Sequence, residues 1–129
     1  MQQRIGLVTL VVREYDEAIA YYVGTLGFEL AEDTPLGAGK RWVVVAPSGG
    51  VGCSLLLAQA TEERQMRAVG DQTGGRIFLF LYTDDFARDY RAYRERGVSF
   101  AEAPRREPYG TVAVFADVYG NRWDLIEPI

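Results

Sequence analysis

Histidine is absent from this 129-residue chain, and cysteine and lysine each occur once, as Cys53 and Lys40. Without imidazole the chain can build no Ser/His or Cys/His dyad, no histidine general base and no histidine-ligated zinc or iron. A single cysteine permits no intramolecular disulfide and no thiolate zinc cluster, which suits a reducing cytoplasm; its expected place is that of a small hydrophobe on a strand. Schiff-base chemistry would have Lys40 as its sole candidate. Positive charge is in deficit, 14 basic against 18 acidic residues for a net charge of −4, so nucleic acid is not an expected partner. No apolar run approaches the roughly 20 residues that span a bilayer. The opening MQQRIGLVTLVVREYDEA also lacks a basic n-region followed by a long apolar stretch and a cleavage site. The expectation is a cytoplasmic chain with no membrane partner.

What is present, 48% hydrophobic and 25% charged residues, describes an ordinary globular domain, or two small modules sharing a core. Residues 5–12, IGLVTLVV, read as a strand buried on both faces. In REYDEAIAYYVGTLGF the apolar positions Ile19, Tyr22, Val23 and Leu26 recur on one helical face, and Gly27 supplies a stop. Strands follow over 28–33, 41–47 and 53–58, separated by the turn chemistry of PLGAG and SGGVG. A short helix over 61–70 is expected to be capped by Thr61. The pattern then restarts with a strand over 76–82 and a helix with Phe86, Tyr90 and Tyr93 on one face and Gly97 as its stop. Strands over 98–103, 110–117 and 122–127 complete it, the last two joined by a tight turn at Tyr119, Gly120 and Asn121.

Both halves therefore read βαβββ. A shift of 70 positions sets GFELAE (27–32) on GVSFAE (97–102), aligning Ala31 with Ala101 and Glu32 with Glu102. Two copies make a duplicated module rather than a solenoid. Each copy has one helix for one face of its sheet, so the other face must be buried by the second module or by a partner chain.

The paired modules, the helix signature YDEAIAYYVGTLGFEL and the closing DVYGNRWDLIEP together resemble the vicinal oxygen chelate superfamily of glyoxalase I, bleomycin and fosfomycin resistance proteins and extradiol dioxygenases. The resemblance implies an α+β fold in which two βαβββ modules form curled mixed sheets around a cup. Residues 1–129 would be one such domain, with module one over 4–60, a connector helix over 61–70 and module two over 74–129. It also implies a homodimer, with modules paired within a chain or exchanged between chains. The family hosts lyases, dioxygenases, transferases and binding proteins on one scaffold, so fold alone does not select among them.

Metal-dependent members carry ligands on the first and last strand of each module. Carried over residue by residue, those positions fall on Leu7 and Ser54 in the first module and on Phe78 and Asp124 in the second; a two-residue slip would offer Thr9 and Phe80. Only Asp124 is a good ligand for a divalent cation, and about three protein ligands are the working minimum for zinc or iron. The expectation is no metal and no cofactor.

Period-two alternation places Leu7, Thr9, Val11, Ser54, Leu56, Phe78, Phe80, Tyr82, Asp124 and Ile126 on the face of the lost ligand positions. Trp42 and Tyr109 stand near the mouth with undetermined facing. An apolar, aromatic concavity with few polar points is the usual form of a small-molecule pocket, although the same side chains could fill the cup as core. Asp124 divides the readings: with a raised pKa it is a candidate catalytic acid or base; ionised, it suits a cationic aromatic ligand over Phe78, Phe80 or Tyr82; paired with Arg122 or another arginine, it is structural. GAGKRW around Lys40 lacks the leading glycine, the Ser/Thr and the following helix of a phosphate-binding loop, and reads as a hairpin turn. Arg105, Arg106 and Glu107 read as a solvated loop able to rim a pocket for an anion, and Arg88, Arg91, Arg94 and Arg96 as the exposed side of their helix. The expected protein is a metal-independent small-molecule binder of the glyoxalase/bleomycin-resistance type. The alternatives are an enzyme of the same superfamily and a dimeric module with a filled cup.

Overall fold

In each half of the chain the first strand is rejoined at the end by a parallel last strand, and everything between them has to cross from one edge to the other. The computed structural model describes residues 1–129, which divide into two compact units, Met1–Val69 and Gly70–Ile129. The first unit contains β1 (Leu7–Val12), α1 (Tyr15–Ile19), β2 (Glu29–Gly37), β3 (Lys40–Ala46), β4 (Ser54–Gln59) and α2 (Glu63–Ala68). Its curled mixed sheet has the order β1-β4-β3-β2, with β1 parallel to β4 and the other pairs antiparallel. The second unit contains β5 (Ile77–Tyr82), α3 (Phe86–Glu95), β6 (Ser99–Phe100), β7 (Arg105–Glu107), β8 (Gly110–Ala116) and β9 (Arg122–Pro128). Its sheet repeats the topology as β5-β9-β8-β6, with β7 also on β8 and β5 parallel to β9. The α+β fold of two βαβββ modules expected from the sequence is the fold observed.

Glu14 caps α1, its carboxylate accepting the N–H groups of Asp16 and Glu17, each at 2.9 Å. The helix then widens into a π-helical stretch, Ala20–Thr25, closed by the Leu26 N–H on the Tyr21 carbonyl at 2.9 Å. The wider turn rotates the later side chains, so the buried positions are Ala18, Tyr22 and Leu26 at four-residue intervals, while Ile19 and Val23 are half-buried. A regular helical period could not anticipate that rotation. Tyr22 is fully buried, tilted against Phe28, under Leu10, Val12, Val43, Val45 and Leu57 of the sheet's helix-side core. The expectation that β1 is buried on both faces is corrected: Leu10 and Val12 are buried, but Leu7 and Thr9 are exposed. Leu10 and Val12 lie on the covered face of this edge strand, and Leu7 and Thr9 on its open one.

Two other expectations change. The cap of α2 is Glu62, which accepts the Gln65 N–H at 2.7 Å, and Thr61 instead gives its N–H and hydroxyl to the Gln65 side chain. Residues 105–107, expected as a loop, form β7 against β8.

The second core is aromatic. Phe86 stacks on Tyr90 at 5.5 Å, Tyr90 meets Phe100 edge-on at 4.6 Å, and Phe115 stacks on Trp123 at 5.8 Å while taking Tyr93 against it at the same distance. The β8–β9 turn is held by the buried Asp117, whose carboxylate accepts the N–H groups of Tyr119 and Asn121 and the Asn121 side-chain amide at 2.9–3.0 Å. Asn121 in turn accepts the Gln72 N–H at 3.2 Å, which ties the start of the unit to this turn. Gly70 passes so close that a Cβ there would stand 2.0 Å from the Tyr119 carbonyl oxygen. Replacing Asp117 with alanine strands several buried donors at once, and urea denaturation should show a loss of roughly 2–4 kcal/mol; a change below about 0.5 kcal/mol would show the turn to be held by other means.

Candidate functional site

The sheet register decides which side chains share the open face of each unit. In the first unit the rows Leu7–Ser54, Thr9–Leu56 and Val11–Ala58 lie side by side, and Leu56 is also opposite Val44. Trp42, two residues before Val44, therefore shares this face with Thr9 and Leu56, and so does Lys40. Trp42 is 36% exposed, with its indole N–H donated to the Glu32 carboxylate at 3.0 Å, a bond that fixes the ring's position.

These residues line a pocket of about 690 Å³ that belongs wholly to the first unit. Val11, Leu36, Leu56 and Ala58 supply apolar wall, Trp42 an aromatic one, and Thr9, Lys40, Gln59 and Gln65 the polar points. Of the sequence-derived candidates, the pocket brings together Thr9, Trp42 and Leu56; Leu7 and Ser54 continue the same face beyond it. Lys40, Thr61 and the α2 residue Gln65 were missed. The hairpin of β2 and β3 carries Lys40 into the wall, and the two-residue spacing of Lys40 and Trp42 was the available signal. Arg41 also reaches the pocket but is fully engaged, with Asp16 at 2.9 Å, Asp33 at 2.7 Å and its guanidinium 5.1 Å from the Tyr15 ring centre. Arg41 holds the Asp33 carboxyl below its ordinary range by hydrogen bonding.

In the second unit the rows are Phe80–Asp124–Val114 and Tyr82–Ile126–Val112, the latter extended by Arg105. Phe80 and Tyr82 are exposed, whereas Asp124, Val114 and Ile126 are buried. An irregularity between Ile77 and Leu79 interrupts the alternation at Phe78, whose ring stands edge-on to Trp123 at 6.2 Å. Phe80, not Phe78, is the register partner of Asp124. Tyr109 is exposed in the β7–β8 turn.

Asp124 forms no ion pair. Its Oδ1 is buried without a hydrogen-bond partner; Arg105 is taken by Glu102 at 2.9 Å and Glu107 at 2.8 Å, and Arg122 reaches the Gly75 carbonyl at 3.5 Å. The structural pairing with Arg122 weighed from the sequence is therefore absent. Burial pushes the Asp124 carboxyl above its ordinary range, opposed by the field of Arg105, reinforced by Glu102 and opposed again by Arg122.

A comparison with known proteins places this geometry. The model of the Glyoxalase/Bleomycin resistance protein/Dioxygenase superfamily matches residues 4–125. The chain belongs to that superfamily. It is 53% identical over 128 residues to an uncharacterized protein of Shewanella frigidimarina strain NCIMB 400, covering 98% of this chain and 95% of that one. Among solved structures it is similar to UcmS2, with TM-score 0.84, 30% identity and coverage of 98% and 99% of the two chains. It is also similar to TnmS3, described as an antibiotic binding protein from Streptomyces sp. CB03234, with TM-score 0.79, 32% identity and coverage of 99% and 98%.

The residues at the superfamily's metal positions do not fit an ion. Leu7 and Ser54 offer one hydroxyl in the first unit and Phe78 and Asp124 one carboxylate in the second, and no group of three or more acidic, cysteine or histidine side chains gathers anywhere in the chain. Chelator-treated protein titrated with Mn, Fe, Co, Ni or Zn should keep its unfolding temperature, because an ion held only by the folded state would raise it; a saturable rise with one ion would reinstate a metal centre.

A carboxyl whose folded pKa lies above its unfolded value of about 3.9 binds protons more tightly when folded. It therefore costs stability as pH rises from that value through the folded pKa, and the deficit persists above it. Asp124→Asn removes this penalty. Chemical denaturation of both proteins from pH 4 to pH 8 should show the variant gaining stability relative to the parent as pH rises; a constant difference would mean that Asp124 titrates normally.

Proposed function

We propose that this chain is a metal-independent small-molecule-binding protein that holds an aromatic ligand against an apolar, aromatic surface, acting in the cytoplasm as a homodimer. The pocket of about 690 Å³ on the open face of the first unit carries the reading. Its size is within the roughly 300–1,000 Å³ usual for small-molecule sites, and its wall is mainly apolar, with the positioned ring of Trp42 and few polar groups. The candidate ligand-binding residues are Leu7, Thr9, Trp42, Ser54 and Leu56 on the open face of the first unit and, separately, Phe80, Tyr82, Tyr109 and Asp124 in the second. The antibiotic binding described for TnmS3, 32% identical, supports the same class of activity. Exposed apolar side chains on each unit, Ile5 and Leu7 in the first and Phe80 and Tyr82 in the second, support coverage by a second copy. The single cysteine and the lack of any helix long and apolar enough to cross a membrane accord with the cytoplasmic assignment.

A second reading, a metal-free enzyme, is favoured by one observation: the buried, unpartnered Oδ1 of Asp124 on an otherwise apolar face. There the carboxyl would exchange a proton with a substrate. An Asp124→Asn variant that binds a substrate but no longer turns it over would support it.

The binding reading is tested by titration calorimetry of planar aromatic compounds against the parent protein and Trp42→Ala. Loss of the indole platform should weaken binding about tenfold or more, by analogy with the largest aromatic anchors at interfaces. Stability should change by less than about 1 kcal/mol because the ring is partly exposed. Equal binding by both proteins would remove Trp42 from the site, and failure of every compound would sink the reading.

A further inference from the structure

We propose that the first unit's pocket selects planar aromatic ligands bearing a carboxylate or phenolate, with Lys40 as the counter-charge. This rests on the binding function above and adds the charge class of the ligand. The pocket lining holds no acidic side chain, and Lys40 and Arg41 are its charged residues. Lys40 lies in the wall with no ion pair or hydrogen bond of its own, two residues from Trp42 on the same strand face. Asp16 and Asp33 together leave one negative charge beside Arg41, and Glu32 keeps its charge while accepting the indole N–H of Trp42, but none of these acids lines the pocket. Gln65 contributes in the same sense, since its side-chain oxygen already accepts both the Thr61 N–H and hydroxyl, which leaves its amide hydrogens to donate.

An aromatic anion laid on Trp42 would place its charge beside a free ammonium group. An aromatic cation would meet that same ammonium with no carboxylate lining the pocket to offset it. The long-range field works the other way, because the whole chain is acidic with a net charge of −4. A preference for anions therefore cannot come from overall charge and must be local.

The test uses matched probes: naphthoate, naphthylmethylammonium and neutral naphthalenemethanol, each titrated calorimetrically at one ionic strength into the parent protein, Lys40→Met and Lys40→Glu. The parent should bind naphthoate about tenfold more tightly than the ammonium probe, the scale of one charge-assisted hydrogen bond. Lys40→Met should bring the affinities for the two charged probes together, and Lys40→Glu should reverse their order. Equal binding of the two charged probes by the parent, or a preference that survives in Lys40→Met, overturns the inference. If naphthalenemethanol still binds in those cases, only the charge selection falls and the binding function stands; if none of the probes binds, both fall.

Discussion

The parallel pairing of first and last strand governs each unit. A parallel neighbour cannot be reached by a tight turn, so the chain must cross over through a helix, and that helix comes to rest on one face of the sheet. In the first unit α1 and its π-helical extension cover Leu10, Val12, Val43, Val45 and Leu57; in the second, α3 lays Tyr93 against Phe115. In the first unit α2 reaches only the rim of the opposite face, where Gln65 lines the pocket, and the second unit has no second helix. The open faces, and the pocket on the first of them, follow from this topology and not from any special motif.

The topology was legible because duplication and strand alternation are coarse signals that survive local irregularity. The rows joining Leu7 to Ser54 and Thr9 to Leu56 could be read from alternation alone, since β1 and β4 run in step without a bulge. Where the backbone departs from a regular period, the sequence misled. The π-helical turn moved the buried stripe of α1, and the irregularity between Ile77 and Leu79 made Phe80 rather than Phe78 the neighbour of Asp124. Lys40 escaped notice for another reason: a residue near a hairpin tip becomes part of a site only through where the hairpin reaches. Extending β2 to Gly37, past Pro35, is a tertiary outcome that propensity would not favour.

The superfamily scaffold is retained here with different chemistry at its metal positions. Leu7, Ser54 and Phe78 are poor donors for a metal, and the remaining carboxylate, Asp124, is surrounded by Phe80, Val114 and Ile126 rather than by other ligands. A buried carboxyl in such surroundings is pushed toward its protonated form, able to offer a hydrogen bond from an otherwise apolar face.

The two tryptophans occupy opposite surroundings, one in each unit. Trp42 is partly exposed on an open sheet face, whereas Trp123 is 3% exposed and stacked on Phe115. Their indoles therefore differ in polarity and in access to dissolved quenchers, so the emission spectrum of the unmodified chain is a sum of a redder, quenchable component and a bluer, shielded one. Each unit carries its own optical reporter, and events at the first can be followed against the second as an internal standard without attaching a label.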